Sequence, residues 1–335
     1  MNGGISVAIV GATGAVGKDL LDALPDAGIP LREVRLIGSR TSSEATMEFG
    51  GQSVPVHPIA DDLSASALLE NVDLVFFATP AEVTRAQAPL VADAGIATID
   101  IGAAMAGHAP IVVPAVDTEP LQAFFETRLV CSPSAPSVIL STVLGPLIRM
   151  GASGCRGTAL LPAGIVGKAG VEELSQQVIA LFSGGEPPRV VFPSGLAFDL
   201  NAQVGPVREG WTSVERRMAL ETAAVVHLSP NQLAMTAVMV PMFAGIGLSL
   251  FIELDPLPPL ADIEHFLSEA DQIRLGDPIP GPRRVAGRPQ VFVGRLRADP
   301  QQQGIHLFAT ADNLRAGATG NALQIAKLLW EDGML

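Results

Sequence analysis

The chain has 335 residues, enough for two domains with separate apolar cores. Its formal charge of −13, with Lys and Arg spread thinly, argues against nucleic-acid binding, which needs clustered cations to neutralise a run of phosphates. Cys131 and Cys155 form no CxxC motif, and His57, His108, His227, His265 and His306 are scattered, so no zinc site is expected and a reducing cytoplasm suits the chain. No charged leader with a cleavage site precedes the first apolar run, so export is not expected.

Residues 5–17, ISVAIVGATGAVG, read as a buried strand that breaks into a glycine-rich turn and continues as a helix. Gly11 lets the chain reverse, Gly14 lets backbone N–H groups approach a pyrophosphate, and Gly17 lets the helix pack against the strand. In that setting the triplet is a dinucleotide-binding turn, with Gly11, Thr13, Gly14, Ala15 and Val16 as its expected cofactor contacts. A helix over 18–27 leads to a second strand, 33–38, which ends in Ser39, Arg40 and Thr41. An acidic residue there would hold a ribose 2′-hydroxyl. Arg40 with hydroxyl neighbours suits a 2′-phosphate instead, so the expected cofactor is NADP.

Two short strands meeting at Gly50 and Gly51 follow, then a strand at 72–79 and a helix at about 80–95. Val83, Ala86, Leu90 and Ala94 recur at helical spacing on the apolar face of that helix, and Pro89 should kink or break it. Strands are expected at 97–102, 110–116 and 128–133, and this alternation predicts a parallel, doubly wound sheet. A helix over 136–151 opens the second region, with a strand at 155–164, helices at 168–184, 213–227 and near 259–269, and strands within 233–254 and at 289–297 and 304–310. The uncharged run 228–252 is long enough to span a bilayer, but Pro241, Gly245 and Gly247 interrupt it. It reads as two buried strands meeting at a bend, in a mixed sheet with a charge-poor face for another subunit, and no membrane span is expected. A last helix begins near Ala318.

In order along nearly the whole chain, GATGAVG, SRTS, IDIGAAMAGHAPIVVPAV, KAGVEEL, ERRMALET and ADNLRAGATGNALQIAKLL resemble segments of aspartate-semialdehyde dehydrogenases. The resemblance implies an α/β protein with an N-terminal Rossmann NAD(P)-binding domain, residues 1–133 completed by 316–335. It further implies a central mixed-sheet α+β domain at 134–315, of the semialdehyde dehydrogenase catalytic and dimerisation type, a homodimer, and Asn321 as a further cofactor contact. The activity it implies is NADPH-dependent reduction of β-aspartyl phosphate, through attack by a cysteine thiolate, with a histidine handling protons and an arginine binding the substrate.

Carried over position by position, the resemblance leaves those roles unfilled. The place of the cysteine motif reads Ser132-Pro133-Ser134-Ala135, so Ala135 stands for the nucleophile. Leu161 stands for a glutamine beside the thioester, Met239 for the substrate arginine, Ile246 for the histidine, and Ala106 for an arginine that contacts phosphate. Cys131 lies about 13 Å from Ala135 along an extended strand, too far to attack from the same place. Cys155 begins a different strand without a base, and Ser134 and Ser137 have none either. Because nucleophile, base and clamp act as a unit, the expected protein is a folded, dimeric, NADP-binding homologue that does not reduce an acyl phosphate covalently, similar to the Usg-like branch of the family. Two alternatives stay open. One is an active NADP-dependent oxidoreductase, acting on the semialdehyde or on another aldehyde or oxo ligand in an apolar pocket of Ala135, Leu161, Met239 and Ile246. The other is a non-enzymatic partner of a catalytic paralogue.

Overall fold

The computed structural model describes residues 3–42, 45–276 and 278–335. These form two compact units, one running to Ser134 and taking up Ala318–Leu335, the other comprising Ala135–Gly317.

In the first unit β1 (Ile5–Val10) passes through the glycine turn into α1 (Ala15–Ala23), whose last turn tightens to a 3-10 helix at Leu24–Ala27. There follow β2 (Leu31–Gly38), the hairpin β3 (Thr46–Phe49) and β4 (Gln52–Pro58), β5 (Leu74–Phe77), α2 (Ala81–Asp93), β6 (Ala97–Ile101), the single turn α3 (Phe124–Thr127) and β7 (Leu129–Ser132). The strand order is β3-β4-β2-β1-β5-β6-β7, parallel throughout except for the β3–β4 hairpin. β1 therefore sits where the two directions of sheet growth part, which is where such sheets bind nucleotides. Ala8, Val10, Val75, Phe77, Leu129 and Cys131 share one core with Ala88, Val91 and Ala92 of α2. Strand alternation turns Val7, Ile9, Leu74 and Phe76 to the opposite face.

Three expectations differ from the structure here. The buried face of α2 is Thr84, Ala88, Val91 and Ala92, and Leu90 is 42% exposed. Alanines are small enough to suit either face, so the apolar pattern placed the stripe on a neighbouring face of the helix. Pro89 forgoes one backbone hydrogen bond but neither ends nor divides the helix. Residues 110–116 form no strand, only isolated bridges from Ile111 to Cys131 and from Val113 to Asp117. Pro110 and Pro114 lack the N–H groups a ladder needs.

The second unit contains α4 (Ala135–Arg149), β8 (Gly154–Leu161), α5 (Lys168–Ser183), the small hairpin β9 (Val207–Arg208) and β10 (Trp211–Thr212), α6 (Ser213–Val226), β11 (Leu233–Met239) and β12 (Ile246–Glu253). Then come α7 (Leu260–Ser268), β13 (Ile273–Leu275), β14 (Val291–Ala298) and β15 (Gly304–Ala311), after which α8 (Thr319–Glu331) returns to the first unit. The six-stranded sheet runs β11-β8-β12-β15-β14-β13 and is mixed, with β11–β8 and β13–β14 parallel. The charge-free run 228–252 supplies β11 and β12, separated by a turn, and among the described residues no helix is long and apolar enough to cross a membrane. Thr212 and Glu215 form a reciprocal cap on α6, and Glu215 Oε1 also accepts the Ala237 N–H at 3.0 Å, which fastens the helix to β11.

A long loop after α5 is held by two buried side chains of that helix. Glu173 accepts the N–H groups of Val190, Val191 and Phe192 at 2.9, 2.6 and 2.8 Å. Gln177 Oε1 accepts those of Leu196 and Ala197 at 2.8 and 3.0 Å. The loop so held presents Val190, Phe198 and Leu200 outward, and Phe182 of α5 meets Phe198 edge to face with ring centroids 5.6 Å apart.

Candidate functional site

The glycine turn of the first unit is built as an anion cradle. Gly11 has φ +89°, and a Cβ there would strike the Ala78 carbonyl, so only glycine fits. Its N–H and that of Ala12 both donate to the Ile37 carbonyl, at 2.8 and 3.1 Å, binding the turn to the end of β2. Gly17 is needed because a Cβ would run into Gly11 O and Ala12 Cα; the close approach is to the turn itself. Gly14 and Ala15 are exposed, and Gly14 caps α1 with no side-chain bond. First-turn N–H groups, those of Ala15 and Val16 among them, have no acceptor within a helix and point outward along its dipole. The arrangement suits a pyrophosphate. Thr13 lies half-buried in the same turn.

At the end of β2, Ser39 Oγ and Thr41 Oγ1 are hydrogen-bonded at 2.8 Å. Arg40 is exposed and paired with Asp61 at 2.5 Å. Asp61, 21 positions further on, competes with any ligand for the guanidinium. Asn321 of α8 is 2% exposed; its Nδ2 donates to the Val112 carbonyl at 2.9 Å and to Ser132 Oγ at 2.8 Å. Both amide hydrogens are thereby used to dock α8 beside β7, a structural task within this unit.

In the second unit the sheet brings three of the singled-out positions into one row. Met239 is the register partner of Leu161 on β11 and β8, and Gly247 pairs with Leu160, which sets Ile246 opposite Leu161 from the other side. Ile246 in turn pairs with Ala311 of β15. Residues in register share a face, so the row Met239, Leu161, Ile246, Ala311 is a continuous apolar band, with every member buried. Met239 also lines a cleft of about 800 Å³ with the Glu173-held loop, among whose lining residues none is ionisable. In the wall of that cleft Asn201 and Met239 exchange backbone hydrogen bonds at 2.9 and 2.8 Å.

From Ala311 the chain turns through Asp312–Gly317 to α4. Asn313 Oδ1 accepts the Gly245 N–H at 2.8 Å, Asp312 accepts those of Leu314, Arg315 and Gly287, and Gly317 stops against Ala135. Ala135 occupies the first position of α4 and is 7% exposed. A helix N-terminus would lower the pKa of a thiol, but a methyl group cannot use it. The two thiols of the chain lie elsewhere. Cys131 is buried in β7 with its Sγ 3.6 Å from Asp100 Oδ2. Cys155 is buried in β8, where desolvation and then the Glu253 charge push its pKa up to about 12, against a smaller lowering by Arg156. It stays a thiol at neutral pH. Ala106, the position at which the resemblance implies a phosphate-contacting arginine, is exposed on the loop after β6. No group of side chains that could hold a metal ion occurs among the described residues.

Comparison with known proteins gives these units a family. The model described as the NAD binding domain of semialdehyde dehydrogenase matches residues 6–124, and that described as its dimerisation domain matches 146–316. The chain belongs to the semialdehyde dehydrogenase family, with both of its domains, as the resemblance implied. Among its relatives, a USG-1 protein homolog of Pseudomonas aeruginosa is 34% identical, with 97% of each chain covered. Aspartate-semialdehyde dehydrogenase 2 of Vibrio cholerae is 31% identical over 98% of each. The crystal structure of aspartate semialdehyde dehydrogenase II from Vibrio cholerae, complexed with ASA, superposes with a TM-score of 0.93 at 31% identity over 99% of both chains.

Proposed function

We propose that the protein is a cytoplasmic homodimer that binds NADP(H) and does not carry out covalent acyl-phosphate reduction. The observation that carries this reading is the apolar row of Met239, Leu161 and Ile246, together with Ala135 at the first position of α4. No side chain at these four positions can attack a carbonyl, move a proton or bind a carboxylate, and the 800 Å³ cleft beside Met239 adds no ionisable group. Nucleotide binding is supported by the exposed first turn of α1 and the choice of NADP by Arg40, with Ser39 and Thr41 beside it. Release of Arg40 from Asp61 is then part of binding the 2′-phosphate. Thr13, Ala15 and Val16 complete the set of turn contacts, and Asn321 serves the cofactor by holding α8 in place. The dimer is supported by the outward apolar side chains of α5 and its loop, Ile179, Phe182, Val190, Phe198 and Leu200.

Two measurements test the reading. NADPH is titrated by fluorescence, and aspartate semialdehyde is then assayed for oxidation with phosphate and NADP. Saturable NADPH binding without turnover is expected, and turnover near that of a catalytic relative would sink the proposal. The charge-free cleft favours a second reading, hydride transfer to an uncharged aldehyde or oxo ligand, which predicts NADPH consumption with such substrates and none with the phosphorylated one.

A further inference from the structure

At the start of β11, the opposite end of the strand from Met239, the second unit holds a pocket of about 320 Å³. Its apolar walls are Trp211 of β10, Ala219 and Leu220 of α6, Pro230, and Leu233 and Ala234 of β11. Trp211 and Leu220 are 45% and 56% exposed, although large apolar side chains gain from burial. A pocket of this size lies at the small end of those that take ligands, with room for one or two fused rings.

Polar groups decide which rings suit it. In the parallel ladder of β11 and β8, successive residues point their backbone groups alternately toward the partner strand and away from it. The Val240 N–H donates to the Leu161 carbonyl of β8, whereas Met239 exchanges its bonds with Asn201 and the Ala237 N–H goes to Glu215. The odd-numbered residues of β11 therefore face the free edge. Leu233 donates its N–H along that edge to the Pro230 carbonyl, but its own carbonyl, in a residue only 4% exposed, accepts no hydrogen bond among the described residues. Glu215 also lines the pocket. It accepts the Thr212 and Ala237 N–H groups through different oxygens and keeps a lone pair on each. The β11 side of the pocket thus offers acceptors that lack a donor. At the rim Arg216 pairs with Glu209 at 3.7 Å, so the mouth carries no net charge with which to hold an ion.

We propose that this pocket binds an uncharged planar ring bearing an N–H group, of the indole class. The ring lies against Trp211 and Leu220, where stacking and burial supply affinity, and its N–H meets the acceptors of Leu233 and Glu215, which supply selection. The site shares no residue with the glycine turn or with the row of Met239, Leu161 and Ile246, so it stands or falls apart from the proposed function.

The chain has two tryptophans, Trp211 and Trp330 of α8, so an isotope-labelled sample shows two indole N–H resonances by NMR, which Trp330→Phe assigns. Indole is titrated in and, separately, N-methylindole, which has the same rings and no N–H. The expected result is a saturable shift of the Trp211 resonance with indole, a Trp330 resonance that stays in place, and an affinity for N-methylindole about tenfold or more weaker. Ala219→Phe, which fills the pocket, should abolish the shift. Leu220→Ala removes an exposed wall and keeps the helix, and should weaken indole about threefold or more. Should Ala219→Phe displace the Trp330 resonance, and so disturb the fold, Leu220→Ala decides alone. No saturable shift with indole, equal affinity for the two compounds, or undiminished binding in a folded variant overturns the proposal.

Discussion

Glu173→Gln should loosen the loop that follows α5 without unfolding the sheet beneath it. The carboxylate receives four donors: the N–H groups of Val190, Val191 and Phe192, and Gln177 Nε2 at 3.1 Å. Glutamine keeps one oxygen. If it faces Phe192 and Gln177, the new amide turns its hydrogens on Val190 and Val191, and two charge-assisted bonds are lost. Each is worth about 1.5–3 kcal/mol, less what water restores, so a local loss of about 3 kcal/mol is expected. Hydrogen exchange reads this directly, because about 3 kcal/mol is on the order of a hundredfold in local opening. The Val190, Val191 and Phe192 amides should exchange that much faster, while those of β8 and β12 stay protected. The wild type should also show a pH dependence that the variant lacks. Burial, the largest single influence, raises the Glu173 pKa, but the Val191, Phe192 and Val190 N–H groups with Gln177 outweigh it and leave the carboxyl below its ordinary value of 4.5. The native form thus favours the carboxylate. Its stabilisation is complete above the ordinary value and is lost as the pH falls through the lowered one. Unchanged protection of the three amides in the variant at neutral pH would refute the account.

Other substitutions test the remaining proposals. Ala135→Cys alone should give under about 1% of a catalytic relative's turnover, because Met239 and Ile246 supply neither clamp nor base; strong recovery would show that the positions were wrongly matched. Arg40→Glu should weaken NADPH about tenfold or more while sparing NADH, and Asp61→Asn, which frees Arg40, should tighten NADPH. Equal effects of Arg40→Glu on both cofactors would remove Arg40 from the ribose site. Phe198→Glu should shift sedimentation toward the monomer, since it places a charge where Phe198 meets Phe182 on the exposed apolar surface; an unchanged dimer would move the interface elsewhere.

The sequence disclosed what local chemistry specifies. The strand, glycine turn and α1 were legible because Gly11 and Gly17 sit where a Cβ cannot. The bend between β11 and β12 was legible because Pro241 and Gly245 interrupt a buried run. The matching singled out Met239, Leu161 and Ile246, three positions that the strand register sets in one row. What escaped depends on partners distant in the chain or on elements too short to show a period. Asp61 answers Arg40 from 21 positions away, and β9, β10 and β13 have two or three residues each. Nothing in the spacing of Glu173 and Gln177 announces that they will bury themselves against a loop of turn residues.

The bonds from Asn321 to Val112 and Ser132, and from Arg128 Nη1 to the Met334 carbonyl at 2.9 Å, have a consequence for the order of assembly. During synthesis residues 3–134 leave the ribosome first, yet the Val112 carbonyl and the Ser132 hydroxyl wait for a helix that follows all of residues 135–317. The inserted unit can complete its sheet while its host is still missing a piece. The first part of the chain to be made is the last to be finished, and the exposed side of β7 needs protection until α8 arrives.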